Sequence, residues 1–349
     1  MTATHRSRRA RLGALLGEYD VDALLVTRGV NVRYLTGLSS SNAALLVRED
    51  GSAVLATDSR YVETARRVCP DVELVERRDV AAALVPRAER PGVEAHDMSV
   101  AAYRDLGGHV VLAGRLVEAV RVVKDEEEIE ALRTACDLTD RAFAGVVETI
   151  APGMTERQIA RALEIRMLEL GADKPAFDSI VASGPNGSVP HHSPGDRPVE
   201  RGDLITMDFG ALHDGYHADM TRTVALGPVA DWQRELYELV GAAQRAGLEA
   251  AVPGAALADV DAAARDVIAS AGHGGHFEHG LGHGVGLEIH EDPFMRPSGA
   301  GRLEDRVPIT VEPGVYLPGR GGVRIEDTLV TRTGGPELLT RTTKELLVL

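Results

Sequence analysis

The stretch from Asp208 to Glu326 constrains this chain more than any other, because it sets two carboxylate pairs around a histidine-rich segment. Asp208 and Asp219 lie in LITMDFGALHDGYHADMTRTVAL, and Glu312 and Glu326 lie in ITVEPGVYLPGRGGVRIEDTLVT. Between them runs HFEHGLGHGVGLEIHEDPF, with His279, His283 and His290. Residues 203–209 and 216–224 read as strands flanking HDG, a turn signal. Residues 308–312 and 322–331 repeat that hairpin across PGVYLPGRGG. Each hairpin can bring its two acids together. Four acids buried side by side repel one another unless cations neutralise them, and otherwise some protonate. Four carboxylates and one imidazole are the donors that two divalent cations need. On spacing alone the competing reading is two solvated acidic hairpins that never meet, since most charged side chains are on the surface.

The histidines divide by context. His283, in GHGVG, has small neighbours that allow close approach, and beside four acids it reads as a ligand. His279 and His290 flank it and are placed to polarise a substrate carbonyl, against the plainer role of a structural hydrogen bond. His191 and His192 follow NGSVP on a loop, where a solvated surface pair is the alternative. His217 shares a face with Asp219 if their strand is regular.

At 349 residues the chain has room for two domains. A net charge of −15 argues against a nucleic-acid partner. Cys69 and Cys136 show no metal-type spacing, which fits a reducing cytoplasm. The basic, then apolar, N-terminus is interrupted by Glu18, Tyr19 and Asp20, so residues 5–18 read as an amphipathic helix and not as a signal peptide. No apolar run is long enough to span a membrane.

Residues 1–120 alternate strands at 22–27, 43–48, 52–57, 72–75, 93–95 and 110–112 with helices at 58–68, 78–89 and 98–107, an α/β pattern. No glycine-rich phosphate loop follows the first strand, which speaks against a dinucleotide site. NVRYLTGLSSSNAALLV reads as a buried strand-turn-strand, with a flap closing over a neighbouring active site as the sharper alternative. Near 121–130 the character changes, and Lys124 to Glu128 reads as a boundary and a charged helix start. That helix is expected to run to about 150. A second starts at a Thr155/Gln158 capping box and ends at Gly171, followed by a strand in FDSIVASG. Two more helices, 230–252 and 257–272, precede the second hairpin. Helix, helix and acid-bearing hairpin thus occur twice. That implies an α+β domain with an internal pseudo-twofold duplication and a site between its halves.

With these residues on view, the chain resembles the aminopeptidase P and prolidase group of Xaa-Pro metallopeptidases. Asp208 and Asp219 are spaced as that family's aspartates are, HGLGHGVGLEIHE matches its histidine segment, and VEPGVY and VRIEDT match its two glutamates. The resemblance implies a creatinase-like N-terminal α/β domain over 1–122 and a pita-bread catalytic domain over 123–349. It implies that Asp208 holds one metal, that His283 and Glu312 hold the other, and that Asp219 and Glu326 bridge them. His191 in the N-x-x-x-x-H loop, His279 and His290 would contact substrate and stabilise the transition state. Arg324 and Tyr216 would support the carboxylates. Glu312 would also take a proton from the water that two cations activate and pass it to the leaving nitrogen.

The resemblance further implies a homodimer acting on small peptides with proline at the second position. Mn²⁺ is the preferred ion on ligand hardness, and Co²⁺ or Zn²⁺ would occupy the same oxygens. The reading leans to aminopeptidase P over Xaa-Pro dipeptidase (prolidase). A dipeptidase must clamp the substrate's C-terminal carboxylate, for which Arg33, Arg60 and Arg320 are candidates. A methionine aminopeptidase-like enzyme and a metal-independent creatinase-type hydrolase are further alternatives. A non-catalytic module that keeps the shell is a third, though all five ligand types are present here.

Overall fold

Short apolar runs built on Leu, Ala and Val pair into one sheet at the N-terminal end of the chain. A computed structural model describes residues 2–107 and 110–349. It divides into two compact units, Met1–Arg121 and Val122–Leu349. The first unit is built on a six-stranded sheet ordered Glu73–Glu76, Ala53–Thr57, Ala43–Arg48, Ala23–Val26, Pro91–Glu94 and Val111–Ala113. Leu25, Leu46, Val54 and Val93 form part of its core. The helix Thr2–Leu16 starts the chain.

One segment departs from expectation. Gly29–Thr36, read from sequence as part of a strand-turn-strand, is a helix. Val and Tyr favour strands, but tertiary bonds outweigh that weak preference. Asn31 is fully buried and donates to Glu94 and Glu118 at 2.6 and 2.8 Å, while accepting from Arg121 at 2.8 Å. Gly37 then closes the helix in the left-handed region (φ 78°), with its N–H on the Arg33 carbonyl. A further helix, Leu116–Val122, also went unread in the sequence.

The second unit opens with helix Glu126–Val147. Asp125 accepts from the Glu128 N–H and Glu128 reaches back to the Asp125 N–H, a reciprocal cap. Helix Glu156–Leu170 begins with the Thr155/Gln158 box and ends at Gly171 (φ 109°), where the sequence reading put its cap and its end. Phe143, Leu163, Met207 and Val224 join these helices to a sheet ordered Met220–Leu226, Asp203–Phe209 and Ile180–Ser183. Helices Asp231–Ala250 and Leu257–Ser270 repeat the arrangement. They pack through Val240 and Val260 onto Ile309 and Leu329. Their sheet is ordered Glu291–Met295, Gly282–Gly284, Pro308–Val311, Asp327–Val330 and Glu337–Leu338. Helix pair plus sheet therefore occurs twice. Among the described residues no helix is long and apolar enough to cross a membrane.

The hairpins are not the continuous ladders the pattern implied. The expected strand 216–224 is split into Tyr216–His217 and Met220–Leu226, with Asp219 in the gap. Pro308–Val311 pairs with Asp327–Val330, whereas Gly314–Leu317 pairs with Gly321–Arg324. Glu312 and Glu326 stand where the second hairpin changes sheet. Glycine permits the first break: a Cβ on Gly210 would lie 1.8 Å from the Ala218 carbonyl oxygen. Gly210→Ala should therefore push the backbone before Asp219 out of place and cost about 2–3 kcal/mol. Urea unfolding with an unchanged midpoint would contradict this account of the break.

Candidate metal centre

The strand breaks aim side chains from both halves of the second unit into one cavity of about 490 Å³. Asp208, Asp219, His283, Glu312 and Glu326 all line it. His191, His279, His290 and Arg324 line it as well. Every residue that the sequence proposed as ligand or catalyst therefore reaches the same space.

The acids sit close and deep. Asp219 is 5 % exposed and Glu326 is 1 % exposed. Ligand atoms of Asp219, His283 and Glu326 lie within 4.8 Å of one another. His283 Nε2 is 3.4 Å from Glu312 Oε1 and 3.6 Å from Asp219 Oδ2. Burial pushes the Asp219 carboxyl well above its usual range, and the neighbouring Glu326, Asp208 and Glu312 push the same way. Glu326 is raised for the same reasons, burial first. Burial also lifts Glu312 to about 8, against the pull of Arg324. These are carboxyls that lack enough positive charge around them.

Their hydrogen bonds leave oxygens over. Asp208 Oδ2 accepts from Arg324 Nη2 at 2.7 Å, and Glu326 Oε2 accepts from Thr221 Oγ1 at 2.7 Å. Asp208 Oδ1 and Glu326 Oε1 are buried with no hydrogen-bond partner among the described residues. His283 Nδ1 donates to the Gly284 carbonyl at 3.0 Å, so Nε2 turns its lone pair toward the acids. Burial, with His290 nearby, lowers that imidazole to about 4 and keeps it neutral. Unpartnered buried carboxylate oxygens beside a neutral imidazole fit hard or borderline divalent cations.

The supporting residues differ in part from expectation. Arg324 is buried and forks between Asp208, Thr221 Oγ1 and the Tyr316 hydroxyl. Tyr216, proposed as a support, instead donates to Glu128 and does not line the cavity. Tyr316 stands in its place. In its two-stranded pairing Tyr316 lies opposite Gly322, which leaves room for the ring. That glycine in GRGG was the available signal. Tyr316 Oη bridges Arg324 Nη1 and His279 Nε2, both at 2.9 Å. His279 Nδ1 donates to the Gly280 carbonyl, so both of its ring nitrogens have protein partners. His290 is exposed, and its ring meets that of His283 edge-on at 4.4 Å between centroids.

His217 and His192 turn away from the cavity. His217 Nδ1 binds the Gly286 carbonyl, because the break at Asp219 removes the shared strand face. His192 binds Glu156 at 2.8 Å. Arg320 stacks on Trp232, while Arg296 is the arginine that joins Arg324 at the cavity wall.

The model of metallopeptidase family M24 matches residues 130–333, and that of the creatinase/prolidase N-terminal domain matches residues 8–134. An Xaa-Pro dipeptidase of Pyrococcus furiosus is 36 % identical over 98 % of this chain and 100 % of its own. The structure of an Xaa-Pro dipeptidase from Bacillus anthracis superposes with a TM-score of 0.96 at 34 % identity, covering 99 % of this chain and 100 % of that one. An X-Pro aminopeptidase from Thermotoga maritima gives a TM-score of 0.88 at 35 % identity, covering 96 % and 99 %.

Arg324 supplies positive charge to the buried acids. Arg324→Met should leave Asp208 Oδ2 without its partner and cost about 3–5 kcal/mol. A urea midpoint equal to that of the wild type would sink this assignment.

Proposed function

The chain belongs to metallopeptidase family M24, and from that membership we propose that it is an Xaa-Pro dipeptidase. The sequence alone leaned to an aminopeptidase and held the dipeptidase second. The named relatives favour the second reading, although one neighbour carries the aminopeptidase name. One observation carries the assignment. Four acids and His283 converge at the floor of a cavity whose wall bears Arg296 and the apolar Phe177, Ile180, Ile289 and Phe294.

Asp208, Asp219, His283, Glu312 and Glu326 would hold two divalent cations, with Mn²⁺ first on ligand hardness. When bound, the cations supply Lewis acidity and lower the pKa of water toward neutrality. The chain's own groups account for the rest. The acids attract the cationic N-terminus of the substrate. The apolar wall receives the pyrrolidine ring, which offers no N–H to bind. Arg296 pairs with the free carboxylate next to proline, the group that a dipeptide presents and a longer peptide does not. Glu312 accepts a proton from the attacking water and delivers it to the leaving nitrogen. His191 and His290 donate to the carbonyl oxygen as it gains charge. Tyr316 and Arg324 hold His279 and Asp208 in place. The proposal extends to a homodimer working in the cytoplasm, in keeping with an acidic chain that carries no disulfide framework.

Chelator-treated protein should regain hydrolysis of Ala-Pro on addition of Mn²⁺, with Ala-Pro-Ala cleaved far more slowly. A tripeptide rate equal to the dipeptide rate would return the assignment to aminopeptidase. Asp219→Ala and His283→Ala should each abolish metal-dependent turnover while circular dichroism stays native; near-wild-type turnover in either variant excludes the proposed centre. Arg296→Ala should raise KM for Ala-Pro roughly tenfold, the loss of one charge-assisted bond. An unchanged KM would remove Arg296 from recognition.

A further inference from the structure

Glu156 is the first residue of helix Glu156–Leu170, a place where acids usually face water. Here it is 0 % exposed and collects five donors. Oε1 accepts from the Ser183 N–H at 2.8 Å, the Ser183 hydroxyl at 2.7 Å and Asn186 Nδ2 at 2.9 Å. Oε2 accepts from His192 Nε2 at 2.8 Å and the Gly195 N–H at 3.1 Å. Burial pushes this carboxyl up, but the donors from Asn186, His192 and Ser183 outweigh it and hold it below its usual value.

The five donors belong to one segment. Ser183 ends the strand Ile180–Ser183, and the chain then leaves the sheet, passes His191 and comes back at Gly195. Glu156 grips both ends of this excursion and two points inside it. Two backbone bonds reinforce the return, from the Glu156 N–H to the Arg197 carbonyl and from the Arg157 N–H to the Gly195 carbonyl. Gly184 turns the chain out of the sheet in the left-handed region (φ 51°), where a Cβ would meet Asp203 Oδ1 at 2.5 Å. At the apex, the Pro190 carbonyl accepts from Arg324 at 3.3 Å and His191 lines the cavity. His191 itself is exposed, so the position of its ring depends on the loop beneath it.

We propose that Glu156 is the positioning residue for His191, a buried carboxylate that holds residues 183–195 in the one shape that brings this imidazole to the substrate. The inference rests on the dipeptidase reading of the cavity. The carboxylate touches no substrate and contributes no metal ligand; it acts only through the loop.

A double-mutant cycle with Ala-Pro on the Mn²⁺-loaded enzyme tests it. Glu156→Gln keeps size but turns an amide N–H toward one set of donors. It should lower kcat/KM roughly tenfold to a hundredfold, the scale of a misplaced substrate contact. Mn²⁺ affinity, measured by titration calorimetry, should not change. In the background of His191→Ala, the further substitution E156Q should cost less than about twofold, because a residue that acts through another has nothing left to position. Additive losses would assign Glu156 a general structural role and overturn the inference. Wild-type kcat/KM in folded E156Q, or lost Mn²⁺ affinity as the source of its defect, would do the same. Should E156Q not fold, His192→Ala removes a single donor from the partly exposed loop and carries the same cycle, with a smaller loss expected and the same non-additivity. If His191→Ala alone leaves turnover unchanged, the inference falls while the dipeptidase reading stands. If the wild type does not cleave Ala-Pro with any divalent ion, that reading falls and takes the inference with it.

Discussion

Placing carboxyls of like charge side by side, out of water, is the constraint on which the rest of the second unit depends. Each half of the duplicated unit answers it with groups that serve the other half. Thr221, on the first hairpin, donates to Glu326 on the second. Arg324, on the second, donates to Asp208 on the first. The backbone follows the same rule: the Glu326 N–H reaches the Thr221 carbonyl, and the Thr328 hydroxyl reaches the Asp219 carbonyl. Glu312 accepts within its own half, from the Thr310 hydroxyl at 3.2 Å, whereas Asp208 and Glu326 take their donors from the opposite half, so forming the site and docking the halves are coupled. Such buried pairs need not add net stability, but removing one partner leaves the other charge buried and uncompensated.

Behind this layer lies another. Arg222 is 2 % exposed and pairs with buried Asp327 at 2.7 Å. It also donates to the carbonyls of Thr342 and Thr343, and Lys344 pairs with the same Asp327. The C-terminal segment is thereby tied to the residue next to Glu326, and it continues as a partner of Ala225 and Gly227. Glu156 plays a comparable part on the other side of the cavity. In each case a buried charge orders irregular backbone, which has no ladder of its own to satisfy its polar groups.

Much of this was legible in the sequence for local reasons. The charged helix start near Lys124–Glu128, the capping box at Thr155/Gln158, the stop at Gly171 and the paired strands around HDG depend on residues a few positions apart. The carboxylates and His283 stood out in the sequence by residue type and order, whereas His191 and Arg324 came from the family resemblance, and the structure brings them to one cavity. The helix Gly29–Thr36 was hidden because its decisive bonds, from Asn31 to Glu94 and Glu118, span more than sixty residues. His192 and His217 were ambiguous because the pattern cannot say which way a loop turns or where a strand breaks.

The sequence by itself determined which acids and histidines are available, the order of helices and hairpins, and their repetition, since these follow from residue type and near-neighbour spacing. The tertiary structure alone decided which groups serve the acids. Tyr316 and not Tyr216 reaches Arg324, because Gly322 opposite it leaves space for a ring. Arg296 and not Arg320 meets the cavity, because Arg320 stacks on Trp232. Glu156 turns inward because Ser183, Asn186, His192 and Gly195 close over it. Direction and burial depend on what packs opposite a residue, and a linear pattern does not contain that.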